Sequence, residues 1–117
     1  MITIYHNPRC SKSRAACDLV SAAKAKEPVE VIEYLKQPFS VDQLRALHAM
    51  LGGRLRDMIR TGESEYTELG LDATGVTDDQ LYEAIAGHPV LLQRPIVVRD
   101  GRAVIGRPTE NVAALLG

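Results

Sequence analysis

Only two cysteines, Cys10 and Cys17, occur in 117 residues, too few for a disulfide framework or a zinc set. No apolar run approaches the roughly 20 residues of a membrane span. Met1 leads straight into Ile-Thr-Ile-Tyr, with no secretory leader pattern. Neither sign of charge dominates: 14 basic and 15 acidic residues leave a net charge of −1. That balance gives no basis for a nucleic-acid surface or an acidic tail. Repeats, linkers and low-complexity segments are missing as well. His48 and His88 have no ligand partners at short spacing, so no metal is expected. If both cysteines lie on one helix, seven residues separate them by about 10 Å of rise. That exceeds the roughly 7 Å Cα limit for a bridge. Two free thiols in a reducing, cytoplasmic setting are therefore expected.

What is present fits one domain over 1–117 with an ordinary hydrophobic content of 45%. The segment MITIY alternates apolar and polar residues and reads as a strand. The alanine-rich stretch Ser13–Lys26 reads as a helix with an apolar stripe at Ala16, Leu19, Val20 and Ala23, stopped by Pro28. Val29–Tyr34 is a second strand, completing a βαβ unit whose strands should be parallel. Residues 40 to 87 carry no strand signal. Ser40 with Gln43, and Thr77 with Gln80, form capping boxes ahead of two apolar-periodic runs. Shorter helical segments are expected near Arg54–Ile59 and Ser64–Leu69. Pro95–Val98 and Ala103–Gly106 are short strands around an Asp100-Gly101 turn, a strong hairpin signal. Thr109 is the expected N-cap of a closing helix over Glu110–Leu116. The order βαβ, helical insert, ββα predicts an α/β fold of the thioredoxin-like type. Its four-stranded mixed sheet should have helices on both sides.

The stretch HNPRCSKSR, residues 6 to 14, places Cys10 in the first βα loop at the start of a helix. Ligands bind at strand carboxyl ends in open α/β sheets, and helix N-termini stabilise thiolates. Arg9, Lys12 and Arg14 add positive charge, while Ser11 and Ser13 offer hydroxyls. Lowering a thiol from about 8.5 to about 6.5 takes roughly 2.7 kcal/mol. A helix end with one or two charge-assisted hydrogen bonds, at about 1.5–3 kcal/mol each, suffices. A lone cysteine is more often packing, but this cationic loop favours a nucleophile. Cys17, between alanines and Leu19, reads as packing. His6 either tunes Cys10 or ends the strand; its position does not separate the two. The motif is C-x-x-S, since Ser13 stands where a second redox cysteine would be. A phosphatase-type loop is excluded, because Ala16 stands where its arginine belongs.

Ten arginines against four lysines suit oxyanion binding. Arg94 precedes Pro95 at the start of the third strand, Arg107 follows the fourth, and Arg60 sits in the helical insert. Converging on Cys10, they would form an anion clamp. By spacing alone, Arg54, Arg56, Arg99 and Arg102 are equally available.

Taken together, YHNPRCSKSR, MIRTGE, LLQRPIVV and VIGRPTENV resemble the ArsC family of glutaredoxin-dependent arsenate reductases, in order and over nearly the full chain. The resemblance implies a thioredoxin-like fold with a helical insertion and an arsenate reductase activity. It implies that Cys10 attacks arsenate, that His6 assists it, and that Arg60, Arg94 and Arg107 bind the anion, with Ser13 and Arg14 beside them. The Arg94–Pro95 bond should be cis, making Pro95 a structural element of the site. Glutathione would be a co-substrate and glutaredoxin the partner, with no bound cofactor and a monomeric chain. The sequence after the cysteine is closer to an ArsC-like branch, and the chain stops at Gly117, short of the extension of longer members. A regulator similar to Spx that binds RNA polymerase is the alternative from another class. It is disfavoured because Ser13 removes the C-x-x-C switch. A thiol oxidoreductase with another substrate is the third reading.

Overall fold

In the computed structural model, which describes residues 1–23 and 27–117, the chain divides into two compact units. One comprises Met1–Gln37 with Arg94–Gly117, the other Pro38–Gln93. The inserted unit is thus a few residues longer at each end than the helical stretch expected from sequence.

In the sheet unit, β1 (Ile2–His6), β2 (Val29–Glu33), β3 (Ile96–Arg99) and β4 (Arg102–Ile105) form one sheet in the order β2-β1-β3-β4. β1 pairs with β2 in parallel, as a βαβ crossover requires, and antiparallel with β3, with Tyr5 opposite Ile96. The β3–β4 hairpin turns through Asp100 and Gly101, both at positive φ (51° and 77°). That is the primed turn which matches the twist of the strands. Alternation in β1 sends Ile2 and Ile4 to one face, where they pack with Val97 against Ala16 and Val20 of α1 (Ser11–Ala22) and Val112 and Leu115 of α5 (Glu110–Leu116). Helices on both sides of the sheet were expected. Within this unit both helices lie together on one face, because they share that core.

α1 differs from its sequence reading at both ends. It begins at Ser11, with Cys10 as N-cap, and stops when Ala23 turns extended (ψ 141°). Pro28 therefore does not end it, and the expected continuation over 24–26 lies outside the described residues. Thr109 is the N-cap of α5, but its hydroxyl makes no capping bond. Its backbone is already helical (φ −59°, ψ −26°), not in the extended form that directs a cap side chain at the first-turn amides.

The helical unit holds α2 (Val41–Leu51), α3 (Ser64–Glu68) and α4 (Asp78–Gly87), with 3-10 turns at Leu55–Met58 and Pro89–Leu91. Both capping boxes close as expected: Ser40 and Thr77 accept from the Gln43 and Gln80 amides, whose side chains return to the cap N–H groups. α2 packs on α4, and Leu44, Leu47, Leu81 and Ile85 are among the buried residues of the two helices. An isolated bridge joins Ile59 to Leu92, a strand-like contact that no local pattern announced. No helix among the described residues is long and apolar enough to cross a membrane.

Candidate active site

Cys10 occupies the junction of β1 and α1. Its own amide donates to Asn7 O at 3.0 Å and its carbonyl accepts from Arg14 N at 3.0 Å, so the loop tightens into the first helical turn. Cys10 as a residue is 8% exposed. No capping hydrogen bond closes from the side chain, yet the first-turn amides still act on the sulfur. Burial pushes the Cys10 thiol up. The Ser13 and Lys12 N–H groups and the Arg94 guanidinium more than offset that, and the thiol falls below its ordinary range.

Two arginines from the far end of the chain meet this sulfur. Arg107 Nη2 donates to Cys10 Sγ at 3.3 Å, and its Nε donates to the Arg94 carbonyl at 2.6 Å. Arg94 faces the same thiol through its side chain. The antiparallel β1–β3 pairing places the residues just before Ile96 beside the end of β1, which brings Arg94 and Pro95 there. The Arg94–Pro95 bond is cis, as expected, and so is Arg107–Pro108, which the sequence reading did not anticipate.

Gly106 was also missed as a site residue. A Cβ on it would lie 2.7 Å from Pro95 Cγ and 3.0 Å from Val112 Cγ2, so only glycine lets the strand end pass between them. Its amide donates to the Pro95 carbonyl at 2.8 Å. Asn111 Nδ2 donates to Ile105 O at 3.0 Å and to Arg107 O at 3.4 Å, fixing the segment that carries Arg107. The glycine in VIGRP was the available signal for the first; nothing local marks the second.

Other expected site residues behave differently. Ser13 was expected to offer its hydroxyl to substrate. It is fully buried instead, its Oγ 2.9 Å from His6 Nδ1 and accepting from Asn7 N at 2.9 Å. Position N3 of α1 faces the sheet, so only its backbone N–H addresses the sulfur. Arg14 donates from Nη1 to the Pro8 carbonyl at 2.9 Å, bracing the loop. His6 sits at the end of β1. Burial lowers its affinity for a proton, Glu33 opposes that, and Arg14 adds to it, with a net downward shift. Cys17 packs at the edge of the core as expected, but its Sγ also lies 3.5 Å from His6 Nδ1. Burial, then Asp18, pushes the Cys17 thiol up.

Among the arginines that spacing could not separate, the structure assigns other work. Arg99 holds Glu27 and the Leu115 and Leu116 carbonyls, Arg54 pairs with Asp57, and Arg56 holds the Tyr66 hydroxyl and Leu71 carbonyl. Arg60 lies in the helical unit, where its Nε donates to Glu63 at 2.9 Å.

Known proteins resemble the chain over this whole framework. The profile of the ArsC family matches residues 5–115. An arsenate reductase of Neisseria meningitidis is 46% identical over 116 residues, covering 98% of this chain and 97% of its own. One from Escherichia coli is 42% identical over 115 residues, covering 98% of this chain but 80% of its own. The solved arsenate reductase of Vibrio cholerae superposes with a TM-score of 0.90 at 42% identity, covering 97% of this chain and 95% of its own.

Proposed function

The chain belongs to the ArsC family, with its thioredoxin-like fold, and on that premise we propose that it is an arsenate reductase whose nucleophile is Cys10. The observation that carries this reading is the Cys10 sulfur held between the start of α1 and the guanidinium groups of Arg94 and Arg107. A thiolate is favoured there, and Arg107 keeps N–H donors beyond those spent on Sγ and the Arg94 carbonyl. A tetrahedral oxyanion approaching the sulfur would meet them. The family resemblance adds Arg60 to the anion-binding set.

In the proposed reaction the Cys10 thiolate forms a sulfur–arsenic bond as one arsenate oxygen leaves as water, with arsenic still pentavalent. Glutathione then supplies the second thiol. Two electrons pass from the two sulfurs to arsenic, arsenite leaves, and Cys10 remains as a mixed disulfide with glutathione. Glutaredoxin restores the thiol by exchange. Ser13 cannot act as a resolving thiol, which supports an external reductant. The reduced thiols required place the reaction in the cytoplasm, with a monomer as the acting species.

A coupled assay with arsenate, glutathione, glutaredoxin and glutathione reductase, following NADPH, tests the reading. Arsenate-dependent oxidation is expected, with glutathione on Cys10 in protein trapped during turnover. Absence of arsenate-dependent oxidation, with Cys10 fully reduced, would overturn it.

A further inference from the structure

The buried hydroxyl of Ser13 links the end of β1 to the first turn of α1, and its hydrogen bonds decide the protonation pattern of His6. A hydroxyl has one proton to give and two lone pairs to receive with. One lone pair is taken by the Asn7 N–H, which can only donate. His6 Nδ1, at 2.9 Å, is the other partner. Were Nδ1 to carry the proton, the Ser13 oxygen would receive two donors, and its own proton would lie in a fully buried site without an acceptor. A buried unpaired donor is costly. With Nδ1 bare, the Ser13 hydroxyl donates to it while receiving the Asn7 N–H, and the Cys17 sulfur lies 3.5 Å from the same nitrogen.

We infer that Ser13 is a positioning residue, whose hydroxyl donates to His6 Nδ1 and holds that histidine as its Nε2–H tautomer while pinning the turn that aims the Ser13 amide at Cys10. His6 then acts on Cys10 through Ser13. It does not take the thiol proton at Nδ1, because that lone pair is occupied. The charged and titratable groups facing His6 are Glu33 from β2, Arg14 from α1 and the protonated Cys17 thiol from α1. A hydrogen bond received at Nδ1 favours the neutral ring, in line with the downward shift of His6. The part of this inference that concerns Cys10 rests on the arsenate reductase reading; the tautomer does not.

Nitrogen-15 NMR of the intact wild-type protein at neutral pH reads the tautomer directly. Protonated Nε2 with bare Nδ1 is expected, and a proton on Nδ1 would overturn the assignment. In Ser13→Ala the two tautomers should mix, and the His6 midpoint should rise toward the ordinary value of about 6.5. Ser13→Thr, which keeps the hydroxyl, should restore both. An unchanged tautomer and midpoint in a folded Ser13→Ala protein would also overturn it. Cys10 alkylation against pH, measured on the same samples, separates the two readings. An ordinary thiol midpoint in the wild type counts against the reductase, whereas a low midpoint that does not rise in Ser13→Ala counts against the positioning role.

Discussion

Two thiols stand on one helix of this chain, Cys10 at its N-cap and Cys17 in its second turn, and their surroundings push them in opposite directions. Both pay for partial burial. At Cys10 that effect is outweighed by two first-turn amides and an arginine. At Cys17 the amides are already spent within the helix, and the nearest added charge is the unfavourable Asp18. A helix end thus favours the thiolate where the adjacent turn favours the protonated thiol. Exposure does not separate them, since Cys10 is the more buried of the two.

The largest test of this contrast is Cys10→Ser, which should abolish arsenate-dependent NADPH oxidation, because an alcohol is not ionised at neutral pH. Residual turnover carried by Cys17 would break the comparison. Removing one arginine should cost less. Arg107→Ala or Arg94→Ala should lose about 1.5–3 kcal/mol of anion stabilisation, roughly a ten- to hundredfold fall in kcat/KM. Arg→Lys should recover part of it, since the planar fork is lost.

Per-site alkylation followed by mass spectrometry sharpens the contrast without any substrate. Cys10 should react at pH values where ordinary thiols are protonated, slowing only as pH falls through its depressed value. Cys17 should stay slow until pH rises above the usual thiol range. The sign also bears on stability. The Cys10 contribution to folding is present above its unfolded-state value and fades as pH falls through the folded-state one.

Gly106→Ala tests the support of the site. The new methyl must push Pro95 or Val112 aside, which should cost about 1–3 kcal/mol in thermal or denaturant unfolding. The effect on turnover should exceed that of an equally destabilising change in the helical unit, since Pro95 follows Arg94 directly. Cys17→Ser should have the smallest effect: turnover nearly unchanged, with a stability loss of about 1 kcal/mol from placing a hydroxyl at the half-buried edge of the core.

Local signals in the sequence determined a good deal. The capping boxes at Ser40 and Thr77, the Asp100-Gly101 turn, the alternation of β1 and the placement of Cys10 at a helix start all depend on residues within a few positions of one another. Such short-range rules act before any tertiary contact forms. What the tertiary structure decided lies across longer separations or depends on which way a side chain faces. Ser13 turned inward because N3 of α1 looks at the sheet, and Arg14 turned back on its own loop. Thr109 lost its capping role because its backbone was already helical. Which of ten arginines reach the sulfur could not be read from spacing. The antiparallel register of β3 on β1 sets Arg94 beside a cysteine 84 positions earlier, and Gly106 then lets the strand carrying Arg107 close against Pro95. Sheet register is a property of the whole packed unit, so the clamp exists only once that sheet has formed.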